Sequence, residues 1–154
     1  MKMTPLKYAA ALAAAMLLFA CGTSEPPEKK LRDLLSKADY EKAEAMLKNG
    51  EVDLSAHADS MDSVFAWAVQ KNQLRAAELL VKYGAEIDVP VDNEGKTLLI
   101  WACQNGHQKL VKFLLDNGAN ANAATSFGAT PLIFAIKKGS PDLVKMLVEH
   151  GANV

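Results

Sequence analysis

The chain has 154 residues, of which 17 are lysine or arginine and 18 are aspartate or glutamate, so its formal net charge is −1. Basic residues nowhere form the stripe that a nucleic-acid-binding surface needs, and we therefore expect no nucleic acid partner. Hydrophobic residues make up 50% of the sequence, which is enough to build the core of a small folded domain.

The first twenty residues have the features of a targeting segment. Lys2 and Lys7 form a positive segment, and an apolar stretch of thirteen residues follows it, from Tyr8 to Ala20. A membrane-spanning helix needs about 20 such residues, whereas a secretory signal peptide needs fewer. We therefore interpret residues 1–20 as a signal peptide that is removed from the mature protein.

The end of this segment, Leu18-Phe19-Ala20-Cys21, resembles the bacterial lipobox. The resemblance implies that Cys21 becomes lipidated and carries palmitate or a similar acyl chain, with residues 21–30 as a tether. The alternative is an ordinary signal peptide followed by a chance cysteine. Because glycine rather than aspartate follows Cys21, the resemblance implies an anchor in the outer membrane of the bacterial cell envelope, facing the periplasm.

The remainder of the chain is built from an internal repeat. Four residues recur with a shift of 33: Thr97, Ala102, Gly106 and Gly118 become Thr130, Ala135, Gly139 and Gly151. Upstream the shift is 34, since Ala68 precedes Ala102 and Gly84 precedes Gly118. A period of this length is typical of solenoids made from helix–turn–helix units.

Each unit contains the signals that begin and end helices. Thr130-Pro131 and Ser140-Pro141 predict a capping hydroxyl followed by proline in the first helical turn. Glycine follows the second helix of each unit, and glycine or Asn72 separates the two helices, so we expect left-handed backbone there. The apolar spacing of one second helix illustrates its buried face: Leu110, Val111, Leu114 and Leu115.

This pattern resembles the ankyrin-repeat family from residue 31 to the end of the chain. The resemblance implies an all-α solenoid of about four helix–turn–helix repeats with short hairpin loops, at 31–57, 58–91, 92–124 and 125–154. The first unit is degenerate. The histidine of the family motif Thr-Pro-Leu-His is replaced by Ala66, Ile100 and Ile133, so we expect this array to depend more on apolar packing.

In the family, partners usually bind a groove made of hairpin tips and first helices. The matching partner-binding positions here are Asp59, Ser60, Asp62, Trp67, Lys71, Asn93, Glu94, Lys96, Trp101, Gln104, Asn105, Phe127, Lys137 and Lys138. Phe127 is either an anchor for a partner or a residue that packs on the adjacent hairpin. Trp67, Trp101 and Phe134 occupy one equivalent position, which indicates either packing between repeats or an exposed groove wall.

Nothing in the sequence predicts catalysis. There is no Cys-His metal spacing, phosphate-binding loop or nucleophile elbow, so we expect no enzyme activity, no cofactor and no metal ion. Cys103 is interpreted as a buried apolar thiol, and His107 and His150 as structural residues. The acidic residues between repeats are interpreted as a solvated rim: Asp53, Asp59, Asp62, Asp88, Asp92 and Glu94.

The two ends of the array differ. Glu41 and Lys42 give the first unit a polar outer face, as a terminal repeat requires. The last unit keeps the internal apolar pattern at Leu143, Val144, Leu147 and Val148, so we expect that face to be exposed and open to self-association. The predicted function is a membrane-anchored adaptor or scaffold that binds another protein. The alternative is an inhibitor or immunity protein that neutralises a toxin enzyme acting on membrane or wall.

Overall fold

The computed structural model of the chain describes residues 25–54 and 63–154. Within these ranges the protein is helical and has no β-strand longer than an isolated bridge, which confirms the predicted all-α class. The eight helices are α1 (Pro27–Ser36), α2 (Tyr40–Lys48), α3 (Val64–Gln70), α4 (Leu74–Lys82), α5 (Leu98–Asn105), α6 (Gln108–Asp116), α7 (Pro131–Lys138) and α8 (Pro141–Glu149). They fall into two compact units, and the boundary along the chain lies between Asp53 and Leu54.

The N-terminal unit consists of α1 and α2, which pack against each other. Leu31, Leu35 and Ala43 are buried, whereas Glu41 and Lys42 are exposed as the sequence predicts. Ala38 lies in the turn between the helices with a φ of 57°, at the position equivalent to Gly106. A left-handed alanine costs about 1 kcal/mol, so this turn is a strained version of the turns in the later repeats.

The C-terminal unit contains three helix pairs: α3 with α4, α5 with α6, and α7 with α8. The first helices of successive pairs contact each other, as α3 with α5 and α5 with α7. The second helices do the same, as α4 with α6 and α6 with α8. The unit therefore has two helical layers, with its core between and within them. Ala68, Ala102 and Ala135 are completely buried in the first-helix layer, which explains their small size.

Hydroxyl caps begin the first helix of each pair in the C-terminal unit. The side chains of Ser63, Thr97 and Thr130 accept hydrogen bonds from the third backbone amide that follows, at 3.0, 3.4 and 3.5 Å. The predicted cap at Ser140 is wrong, because that side chain makes no capping bond and its ψ is 98° rather than the 164° of Thr130. The Ser140 amide donates to the carbonyl of Ala135 at 3.3 Å, as the amides of Gln73 and His107 do in the equivalent turns.

Left-handed residues end the first helices, as predicted. Asn72, Gly106 and Gly139 have φ values of 54°, 77° and 69°. At Gly106 the positive φ favours glycine, and an added Cβ would lie 2.9 Å from the Cε of Lys138, the movable end of a flexible side chain. Lys138 thus extends from the last repeat across the turn of the preceding one.

The expectation for the last repeat is only partly correct. Val148 is 44% exposed, but Leu143 and Leu147 have no exposed surface. Those two leucines are equivalent to Leu110 and Leu114 of the preceding repeat, which are also completely buried. Because they remain buried with no further repeat stacked upon them, these positions face the layers of their own and the preceding repeat. The large apolar side chains that α7 and α8 expose are instead Ile133, Ile136 and Val148.

Candidate protein-binding surface

Short hairpin loops precede the first helices α5 and α7. In the first loop, the amide of Val91 donates to the carbonyl of Lys96 at 2.8 Å. In the second, the amide of Thr125 donates to the carbonyl of Ala129 at 3.0 Å. We call residues 92–96 and 125–129 the hairpin tips. The isolated bridge between Pro90 and Thr97 closes the base of the first hairpin.

In each tip, one polar side chain accepts hydrogen bonds from backbone amides of the same tip. The carboxylate of Asp92 accepts hydrogen bonds from the amides of Glu94 and Lys96, at 3.0 and 2.9 Å. At the equivalent position, the hydroxyl of Thr125 accepts from the amide of Ala129 at 3.2 Å. These bonds satisfy backbone groups that no sheet partner is available to satisfy. The two tips are also joined to each other, since the Ser126 amide donates to the Glu94 carbonyl at 2.7 Å.

Phe127 lies at the second tip and is 80% exposed. The interpretation that it packs on the adjacent hairpin is therefore wrong. The backbone of Ser126 bonds to the neighbouring loop, and the Phe127 side chain that follows remains in solvent. An exposed phenylalanine on an ordered loop is available to a partner at little conformational cost.

The aromatic residues of the first helices are half-buried in all three repeats. Trp67, Trp101 and Phe134 each keep part of their surface in solvent. The ring centroid of Trp101 lies 5.4 Å from that of His107, and the ammonium of Lys137 lies 5.8 Å from the centroid of Phe134. The partial exposure of the rings agrees with an exposed groove wall, whereas these two contacts lie within single repeats, so packing between repeats stays a prediction.

The polar positions of the first helices carry charge of a single sign. Residues 64–72, 98–107 and 131–139 contain no aspartate or glutamate, and their charged residues are Lys71, Lys137 and Lys138. All three lysines are exposed, as are Gln104 and Asn105. We call the exposed parts of α3, α5 and α7, together with the hairpin tips, the first-helix surface. Its helical part has a positive potential.

Two of the acidic residues that were expected to form a solvated rim, Asp88 and Asp92, have structural roles, whereas Glu94 is exposed and Asp59 and Asp62 lie outside the described residues. Asp92 holds its own hairpin, and its carboxylate also lies 3.6 Å from the ammonium of Lys96. Both carboxylate oxygens of Asp88 accept from the backbone amide of Asn120, at 3.0 and 2.9 Å. Asp88 therefore joins successive repeats. Lys96 is consequently part of the hairpin structure, whereas Asn93 and Glu94 are exposed at its tip. Sequence spacing alone did not reveal these structural roles.

On the second-helix layer, His150 contributes to an inter-repeat contact. Its Nε2 lies 3.2 Å from the carboxylate of Asp116, and its Nδ1 lies 2.8 Å from the Met146 carbonyl. Two side chains hold the pKa of the Asp116 carboxyl below its ordinary value by hydrogen bonding to it. The larger effect comes from Lys112 and the smaller from His150. The structural interpretation of His150 agrees with this geometry, which joins α6 to α8.

Cys103 is completely buried, as its interpretation as an apolar thiol requires. Burial raises the pKa of its thiol to about 12, so very little reactive thiolate is present near neutral pH. Among the residues that the structure describes, no group of three or more histidine, cysteine, aspartate or glutamate side chains is arranged to hold a metal ion.

Some predicted positions lie outside the described residues. These are Cys21, the signal peptide, and three of the partner-binding positions: Asp59, Ser60 and Asp62. In ranges 25–54 and 63–154, no helix is both long enough and apolar enough to cross a membrane.

Comparison with known proteins identifies the family. Three copies of the ankyrin repeat match residues 65–154, and the chain therefore belongs to the ankyrin-repeat family. It is an ankyrin-repeat protein whose last three repeats are the helix pairs described above.

Several curated proteins are similar to this chain. Acyl-CoA-binding domain-containing protein 6 homolog of Dictyostelium discoideum is 30% identical over 99 residues, which is 62% of this chain and 31% of that protein. Protein phosphatase 1 regulatory subunit 27 of Mus musculus is 30% identical over 103 residues, 67% of this chain and 66% of its own length. Dauer abnormal formation protein 25 of Caenorhabditis elegans is 28% identical over 106 residues, 69% of this chain and 27% of its own.

The chain thus spans less than two thirds of the length of these relatives. Ankyrin repeats, together with similarity to a protein named as a regulatory subunit, support a role in binding another protein.

Proposed function

We propose that this protein is a non-catalytic binding module that holds another protein on its first-helix surface while a lipid anchors it to a membrane. The observation that carries the binding proposal is the exposure of Phe127, whose side chain is 80% accessible on an ordered hairpin tip. Burial of a phenylalanine side chain stabilises a complex by about 1.5–3 kcal/mol. Aromatic anchors of this kind dominate the energy of many interfaces.

The remainder of the first-helix surface supports the same proposal. Trp67, Trp101 and Phe134 offer half-exposed rings beside it, and such side chains supply large contact areas. The lysines at the ends of α3 and α7 carry a positive potential that no acidic residue of the first helices cancels. A partner with carboxylates at its contact edge would associate faster, because complementary charge guides the encounter.

Replacement of Phe127 by alanine tests the binding surface. We expect the variant to keep the stability of the wild type, because an exposed side chain contributes little to the folded array. We expect its affinity for a captured envelope protein to fall at least tenfold, the scale of an aromatic anchor. Capture from envelope extract, followed by titration of the purified partner, measures this change.

The matched control for that experiment is Ile136→Ala, which shortens another apolar side chain that is 60% exposed and lies on a different face of the last repeat. This control should bind the partner as the wild type does. Equal affinity of Phe127→Ala and wild type, with both folded, would refute the role of Phe127 as an anchor.

The anchor proposal rests on the sequence around Cys21. The apolar segment before it and the polar Gly22-Thr23-Ser24 after it are what a lipoprotein signal peptide requires. Lipidation with two or more chains gives stable membrane attachment, whereas a single chain gives marginal attachment. The proposed location is the outer membrane of a bacterial envelope, with the repeats in the periplasm.

Cys21→Ser is expected to abolish lipid labelling, because the serine hydroxyl cannot replace the thiol that accepts the lipid. Incorporation of labelled palmitate into the full chain in bacteria measures this modification. Cys103→Ala is the control, since Cys103 is buried and its removal should leave labelling unchanged. Labelled Cys21→Ser protein would rule out a lipid anchor at this cysteine.

A second candidate function is inhibition of an enzyme. The similarity to a protein named as a regulatory subunit of a phosphatase favours an enzyme as the partner. An inhibitor would abolish the activity of the captured enzyme at a one-to-one ratio, whereas an adaptor would leave that activity unchanged. An activity assay of the captured partner therefore distinguishes the two functions.

A further inference from the structure

The first-helix surface carries charges of opposite sign at its two ends. Glu94 is exposed on the first hairpin tip, which precedes α5. Lys71, Lys137 and Lys138 are exposed where α3 and α7 end, and we call these three residues the lysine end. Since α7 has eight residues and a helix rises about 1.5 Å per residue, the lysine end lies about 10 Å from the hairpin end.

The positive charge of the lysine end is not neutralised by the protein itself. Within residues 25–54 and 63–154, none of its three lysines forms an ion pair. By contrast, Lys112 and Lys145 of the second helices each pair with a carboxylate one turn later in the same helix. The ammonium of Lys137 lies over an aromatic ring instead, 5.8 Å from the centroid of Phe134.

The exposure of the lysine end does not result from the position of α7 in the last repeat. One period earlier, Lys137 and Lys138 correspond to Gln104 and Asn105, which are exposed although α7 packs against their helix. Lys71 is exposed in the repeat before that one. These positions therefore point away from the neighbouring repeats throughout the C-terminal unit, and a further stacked repeat would not bury them.

We propose that the first-helix surface binds an acidic segment of its protein partner, with carboxylates against the lysine end and an apolar part against Phe127. This inference rests on the proposed function, since it names the chemistry of the partner at the same surface. Complementary charge gives such a contact its specificity. Neighbouring first helices lie about 10 Å apart, so the lysine end extends about 20 Å from α3 to α7. An extended segment of about six residues has that length.

Glu94 distinguishes a protein segment from an anionic membrane as the occupant. Its carboxylate is exposed beside the tip that carries Phe127, because the Ser126 amide donates to the Glu94 carbonyl at 2.7 Å. A layer of anionic lipid attracts lysines but repels a carboxylate. An acidic protein segment can instead place its carboxylates at the lysine end alone, with neutral residues at the hairpin end.

Selection of binding peptides tests the preference for acidic segments. The full chain, in a mild non-ionic detergent, is used to select from a displayed library of random short peptides. We expect the selected peptides to be enriched in aspartate and glutamate relative to the library. The affinity of the most enriched peptide is then measured from the fluorescence of Trp67 and Trp101, since both of the chain's tryptophans lie on first helices.

Charge reversal identifies the residues that recognise the acidic peptide. The double variant Lys137→Glu with Lys138→Glu should raise its dissociation constant at least tenfold, because like charges then face each other. Lys109→Glu with Lys145→Glu is the matched control, since it reverses two exposed lysines of the second helices, and it should bind as the wild type does. Glu94→Gln should bind at least as tightly as the wild type. Circular dichroism establishes that each variant is folded.

Three results would overturn the inference: selected peptides without an acidic excess, a selection that recovers no peptide, or equal affinity of the charge-reversed variant and its control. A fourth concerns lipid. The full chain is reconstituted in vesicles that contain brominated phosphatidylglycerol, which quenches nearby indole fluorescence. We expect Trp67 and Trp101 to remain unquenched, and quenching of both would assign the first-helix surface to the membrane instead.

The proposed function fails or stands separately from this inference. If a captured envelope protein requires Phe127 but binds the charge-reversed variant as tightly as the wild type, the anchor stands and the acidic segment is wrong. If acidic peptides require Lys137 and Lys138 whereas the captured protein binds Phe127→Ala normally, the acidic preference stands and the anchor is wrong.

Discussion

Replacement of Ile100 by alanine should lower the free energy of unfolding by about 3 kcal/mol, whereas Ile133→Ala should lower it by about 1 kcal/mol or less. The two isoleucines occupy equivalent positions in successive repeats. Ile100 has no exposed surface, whereas Ile133 is 38% exposed. The same substitution is thus made at one structural position, with and without a repeat stacked above it.

The physical reason for the difference is the cavity. Removal of three carbon atoms below α7 and α8 leaves a void that neighbouring side chains fill only in part, which adds to the lost transfer free energy. At Ile133, solvent already reaches the side chain and no closed void forms. The difference between the two variants therefore measures how much the fourth repeat contributes to the burial of the third.

Urea unfolding followed by the fluorescence of Trp67 and Trp101 gives both values. Equal losses of stability in the two variants would contradict the exposure of Ile133. A loss below about 1 kcal/mol at Ile100 would contradict its burial.

The repeat itself could be predicted from sequence, because each signal has a local cause. Gly106 and Gly139 adopt the left-handed backbone for which glycine is suited, and Thr97 and Thr130 cap helices with their own hydroxyls. Such features depend on residues within one turn of each other, so the sequence contains what is needed. Ser140 is the exception, because its side chain makes no capping hydrogen bond.

The sequence predicts less accurately which neighbouring repeat each apolar side chain faces. Leu110 and Val111 are adjacent in α6 and both are buried, but their equivalents in the last repeat differ in exposure. Leu143, equivalent to Leu110, remains buried, and Val144, equivalent to Val111, becomes partly exposed. Periodicity identifies both as apolar, but it does not say which neighbouring repeat each one contacts.

The binding surface shows the same limit. Phe127 and Asp92 both lie in hairpin loops, and the sequence gives each a plausible place at the surface. The structure separates them, because Asp92 accepts two backbone amides of its own loop whereas the Phe127 ring has 80% of its surface in solvent. Whether a loop side chain turns inward depends on which amides need a partner, and that is a property of the folded loop.

The second large effect is expected at Ala102. This residue has no exposed surface and lies on α5, which contacts α3 on one side and α7 on the other. A leucine at this position adds three carbon atoms to a completely buried site on α5. Helices that are already in contact must separate or shift to accommodate them, at a cost of about 1–3 kcal/mol.

Ala102→Leu should also make unfolding less cooperative. In a repeat array each repeat is stabilised by the interfaces with its neighbours, and this substitution weakens the interfaces of α5 with both α3 and α7. We therefore expect a lower midpoint and a broader transition in urea than for the wild type. Ala124→Leu is the matched control, since Ala124 is exposed in a loop of the same unit and the change there should be within about 0.5 kcal/mol. If Ala102→Leu unfolds with the midpoint and slope of Ala124→Leu, the result would contradict the packing of Ala102 between the first helices. It would also contradict the contact between α5 and α7.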